Sequence, residues 1–100
     1  DNNQNQDPNN ININLNEMIA AGAYCNLALV NHSPSEFVVD FIQLMPGVQQ
    51  ANVRSRVILA PLHAKRVLEA LQQNITNYEQ QFGEIKELEP FVVGGNNVQA

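Results

Sequence analysis

Four of the chain's five basic residues, Arg54, Arg56, Lys65 and Arg66, fall inside one 13-residue window. Guanidinium forks bind phosphate bidentately, so this window is a candidate contact for a macromolecular partner, protein or nucleic acid. The overall balance opposes a general polyanion binder. Ten acidic side chains against five basic ones give a net charge of −5, whereas proteins that coat polyanions need basic surface. Asp40, Glu36 and Glu69 are placed to neutralise the same cations, most simply by Asp40 pairing with Arg54 or Arg56 across a hairpin. Tyr24 is the one aromatic on an expected strand face that could stack a base.

Other reactive residue types are sparse. His32 and His63 lie far apart in sequence and show no H-x-x-x-H spacing. Cys25 is the only cysteine, so neither an internal disulfide framework nor a Cys-based zinc cluster is expected. It sits in an apolar run, where a cysteine behaves as a small hydrophobe rather than a nucleophile. Glu36 and Asp40 would share a strand face, but at about 3.3 Å per residue they stand more than ~10 Å apart, too far to share a proton. No Gly-rich phosphate loop and no G-x-S-x-G string occurs. The expectation is a non-enzymatic protein with no metal and no cofactor.

The elements that must position these residues follow from hydrophobic spacing. At 100 residues and 44% hydrophobic content, the chain is long enough for one core and too short for two. Ile11, Ile13 and Leu15 alternate with Asn12, Asn14 and Asn16, which predicts a half-buried strand. Gly22 to Val30 is mostly apolar and predicts a strand covered on both faces, with a turn at His32-Ser33-Pro34-Ser35. Phe37, Val39 and Phe41 share one face of the next strand, which Pro46-Gly47 closes. A fourth strand carries Val53, Ser55, Val57 and Leu59 on one face and Arg54, Arg56 and Ile58 on the other. From Pro61, a residue suited to a first helical turn, Ala64, Val67, Leu68, Leu71, Ile75, Tyr78 and Phe82 recur at helical steps until Gly83.

The predicted fold is α+β: a four-stranded antiparallel β-meander followed by one long C-terminal helix packing on the sheet. That helix would be roughly 33 Å long, enough to overhang a sheet of short strands. Its overhanging stripe needs a further partner, either another protein or a second copy of the chain, with helix exchange between copies as one solution. Tyr78 and Phe82 are interface candidates on that stripe. Residues 1–10 are amide-rich and read as a disordered tail with no signal-peptide pattern. Residues 11–86 form the single domain, and 87–100 read as a flexible tail. Within that tail, Phe91, Val92 and Val93 either tuck onto the domain or serve as a docking peptide. No apolar run approaches the ~18 residues of a membrane span, and a cytoplasmic protein is expected.

Several strings are distinctive. They include Tyr24-Cys25-Asn26, His32-Ser33-Pro34-Ser35-Glu36-Phe37, Met45-Pro46-Gly47, Val53-Arg54-Ser55-Arg56 and His63-Ala64-Lys65-Arg66. In them the chain resembles, over about residues 11–86, the bacterial domain-of-unknown-function family number 3467. It departs from the family pattern at Cys25, where Ser is expected, and at Ala60, where Thr or Ser would cap the helix, a loss of ~1 kcal/mol. The resemblance assigns no activity. It implies a transcription-linked role, because members from the Bacteroidetes group are often encoded beside the large RNA polymerase subunits. Four strands and a helix are also similar in outline to the helix-swapped dimers of single-strand-binding transcriptional coactivators, an analogy of fold alone. The leading expectation is therefore an interaction protein for the transcription apparatus, with RNA polymerase as its partner. The alternative is a single-stranded nucleic-acid-binding homodimer using Arg54, Arg56, Lys65 and Arg66.

Overall fold

The computed structural model describes residues 10–47, 49–87 and 98–99. In chain order the elements are α1 (Glu17–Ala20), β1 (Leu27–His32), β2 (Phe37–Gln43), β3 (Asn52–Leu59), α2 (Pro61–Phe82) and β4 (Val98–Gln99). The fold is α+β. β1, β2 and β3 form an antiparallel meander, and β4 lies against the other edge of β1, giving the order β3-β2-β1-β4.

The β1–β2 hairpin forms where Pro34 and two serines stop the ladder. The Ser33 amide donates to the Glu36 carbonyl at 2.9 Å, and the Ser35 amide donates to the Ser33 hydroxyl. Registered pairs run from Leu27 with Ile42 to His32 with Phe37. Alternation along these strands therefore sorts the side chains onto two faces. One face carries Leu27, Leu29, Val38, Asp40, Ile42, Arg56 and Ile58; the other carries Ala28, Val30, Phe37, Val39, Phe41, Val57 and Leu59. Gly47 turns the chain toward β3 with a left-handed φ of 78°, a conformation open to glycine without steric cost.

The first strand expected from the sequence is not formed. Residues 11–16 lie outside any ladder and end in α1, whose N-cap Asn16 accepts from the Ile19 amide at 2.9 Å. The alternation of Ile and Asn there satisfied a strand pattern, but the edge of β1 is met by β4. β1 itself begins later than expected, at Leu27, and runs on through Asn31 and His32. Only Leu27 and Ala28 on it are buried, so it is not the doubly covered strand its composition suggested.

α2 spans the expected residues and stops at Gly83, whose φ is 100° and whose amide donates to the Glu79 carbonyl at 2.9 Å. The expectation that it packs on the sheet is not met. Contacts between elements run from β2 to β3, β1 to β2 and β1 to β4, and α2 lies along none of the strands. None of its residues is buried. The reason is local. Only Ala60 separates β3 from α2, in an extended conformation at φ −63° and ψ 149°. A single extended residue carries the chain onward and leaves no turn to bring a helix back over the sheet. The hydrophobic core among the described residues is correspondingly small: Leu27, Ala28 and Ile42.

Candidate functional site

The basic window divides between two elements. Arg54 and Arg56 stand on β3, whereas Lys65 and Arg66 stand in the first turns of α2 beyond Ala60. Arg54 stands about 16 Å of extended chain from the end of β3, and the four cations are carried as one pair on β3 and one pair on α2. Both pairs are exposed.

Register fixes the partner of Arg56. Asp40 of β2 sits opposite it, as expected for a hairpin pair. The guanidinium is bidentate, with Nε donating to Oδ1 at 2.7 Å and Nη2 to Oδ2 at 2.9 Å. The pair is lopsided: the Asp40 side chain is 10% exposed and that of Arg56 63%. Hydrogen bonding to Arg56 holds the Asp40 carboxyl below its ordinary pKa, against the opposing pull of desolvation, and the same bonds raise Arg56. Arg56 is thus committed at one end of its fork to satisfying a buried carboxylate, while the rest faces water.

Arg54 is placed by an irregularity. Phe41 pairs with Ser55 and Ile42 with Val53, so Arg54 is the extra residue of a bulge in β3. Its Nη1 donates to Gln43 Oε1 at 2.6 Å. Gln43, Met45, Gln50, Asn52 and Arg54 line a shallow recess at this corner of the sheet. Neither Lys65 nor Arg66 forms an ion pair among the described residues.

The remaining candidates are dispersed. The His32 ring stacks on Phe37 with centroids 5.5 Å apart, and His63 is exposed in the first turn of α2. Cys25 is a half-exposed free thiol in the loop before β1, not in mid-strand as expected, and Tyr24 precedes it in the same loop, off any strand face. No three His, Cys, Asp or Glu side chains among the described residues gather as metal ligands. Tyr78 and Phe82 meet each other one turn apart, centroids 5.0 Å, and both face solvent. Phe91, Val92 and Val93 lie outside the described residues. No described helix is long and apolar enough to cross a membrane.

One positioning residue escaped the sequence reading. Asn26 bridges back to Leu44, donating from Nδ2 to its carbonyl at 3.1 Å and accepting its amide on Oδ1 at 2.8 Å. This two-way bond closes the open end of the β1–β2 hairpin, next to the Arg54 corner. The strand expected over Gly22 to Val30 absorbed Asn26; with β1 beginning at Leu27, its amide side chain imitates one more backbone pair.

A family model described as a protein of unknown function (DUF3467) matches residues 1–87. No curated protein and no solved structure matches the chain. The match takes in the meander with its Asp40–Arg56 pair and all of α2, and the chain belongs to the DUF3467 family of proteins of unknown function.

Proposed function

We propose that this chain is a non-enzymatic interaction protein, completed by another macromolecule, with the transcription apparatus and RNA polymerase subunits as the partner class. One observation carries the first part. A described core of Leu27, Ala28 and Ile42 stands beside seven stripe residues of α2 of which none is buried. Exposed apolar surface of this extent marks an interaction site rather than a finished monomer. The dispersal of His32, His63 and Cys25 onto separate elements supports a binding role over a catalytic one. The transcription partner is the class that the family resemblance implies, and a cytoplasmic setting goes with it.

The test is native co-purification of the tagged chain after nuclease treatment, with its companions identified by mass spectrometry. RNA polymerase subunits in near-equal amount are the expected outcome. Their absence would remove the transcription partner.

The alternative, a single-stranded nucleic-acid-binding homodimer, is supported by the exposure of Lys65, Arg66 and most of Arg56. Its affinity would fall steeply with salt, the log–log slope tracking the number of phosphates met. Arg54→Ala with Arg66→Ala is the informative variant. Arg56→Ala is not, because it strands the buried carboxylate of Asp40.

A further inference from the structure

We propose that the partner of α2 is a second copy of this chain, the two helices pairing antiparallel about a two-fold axis. The inference rests on the interaction reading above and deepens it by naming the occupant of one face.

Spacing comes first. Ala64, Leu68, Leu71, Ile75, Tyr78 and Phe82 follow one another at intervals of 4, 3, 4, 3 and 4. That alternation is the a/d seam of a helix that packs against another helix. The large stripe residues of α2, from Val67 to Phe82, expose on the order of 700 Å² by their fractional exposures of 39–67%, close to the ~800 Å² that each side of a standard interface buries. The chain's own sheet does not cover this stripe, since α2 lies along none of the strands and is joined to β3 by the single residue Ala60. A short rigid connection that keeps an element off its own domain favours exchange with a copy.

Size complementarity sets the direction. In an antiparallel pair each a position meets a d position of the partner helix. Ala64 then faces Phe82, Leu68 faces Tyr78, and Leu71 faces Ile75. The smallest stripe residue meets one of the largest at each end, and two aliphatic side chains meet in the middle. Parallel pairing would instead set Phe82 against Phe82 and Ala64 against Ala64, crowding one end and leaving a gap at the other.

Charge agrees. α2 has no acidic residue in its first turn and no basic residue in its last. Lys65 and Arg66 crowd its positive end, an arrangement the helix's own dipole disfavours. Antiparallel pairing brings them beside the negative end of the other helix and sets Lys65 near Glu79, both flanking the seam. Glu79 already accepts the Ile85 amide on Oε2 at 2.9 Å, which leaves its second oxygen for a cation.

Sedimentation of the purified full-length chain reads the proposal directly, apart from any capture experiment, so its failure and that of the transcription reading are separable. The expected species has twice the mass of the 11.1 kDa chain. Leu71→Glu with Ile75→Glu should raise the dimer dissociation constant at least ~100-fold while β-sheet circular dichroism persists. Lys65→Glu or Glu79→Lys alone should raise it about 3- to 10-fold, each contact occurring twice across the axis, and the two together should restore it. Restoration is the decisive result, since Glu79→Lys also loses the Ile85 bond, and these substitutions, at exposed Lys65 and half-buried Glu79, remain readable if the stripe variant does not fold. A monomer at ~100 μM, or a dimer indifferent to the stripe variant, would overturn the self-association. Single reversals without effect, or a double reversal without restoration, would overturn the antiparallel pairing.

Discussion

In the meander, cross-strand pairs from Leu27–Ile42 to His32–Phe37 satisfy backbone groups within one chain, and the described residues that are buried are buried there. In α2, 22 residues bond along their own helix, yet none of them is buried. Most helical stability in proteins comes from packing an amphipathic face rather than from the backbone bonds themselves. The sheet is thus a region whose order is explained by its own neighbours, whereas the stripe of the helix is covered by none of the described strands. Asp40 marks the border: it is buried among β-strands, and its countercharge Arg56 is on the strand that leads into α2.

The sharpest way to break this contrast is to empty the sheet's core. Ile42→Ala removes one of the three buried hydrophobics among the described residues and should cost about 2–4 kcal/mol in denaturant unfolding. A loss below about 1 kcal/mol would mean that the sheet does not carry the order assigned to it. Asn26→Ala should cost about 1–2 kcal/mol, because both bonds to Leu44 go at once. Hydrogen exchange should show the loss at the open end of the hairpin and not at Ser33–Glu36.

Ala60→Ser works on the helix alone. The N-cap has no side-chain bond, so a hydroxyl there should add about 0.5–1 kcal/mol and slow exchange in α2 while leaving β1 and β2 unchanged. The smallest effect concerns pH. Because Asp40 titrates below its ordinary 3.8 when folded, the unfolded chain binds that proton first. The pair's contribution is therefore complete above about pH 3.8 and fades as the pH drops through the lowered value. Asp40→Asn should flatten the fall of the thermal midpoint in that acid window, and an unchanged slope would show that the pair does not tie β3 to the sheet.

Legibility followed the same division. β2, β3 and α2 were readable because each has its period written in large side chains, and Pro61 and Gly83 punctuate the helix. The Asp40–Arg56 pair was readable as one of two options, since hairpin geometry puts either arginine near the carboxylate; the bulge that withdraws Arg54 left no mark in composition. Ile11 to Leu15 misled because alternation specifies which face a strand would bury and not whether a neighbouring strand exists. The packing of α2 misled for a related reason: a stripe announces that it will be covered but not by which chain. The one-residue spacing between Leu59 and Pro61, which bears on that question, is a matter of geometry rather than pattern.

That spacing has a mechanical consequence. With Ala60 as the only joint, α2 is a lever about 33 Å long fixed at one end to β3, and each ~10° of change in direction there sweeps Phe82 through about 6 Å. A ligand or partner that alters the twist of β3 at the Arg54 bulge would therefore be felt, amplified, at the far tip of the helix.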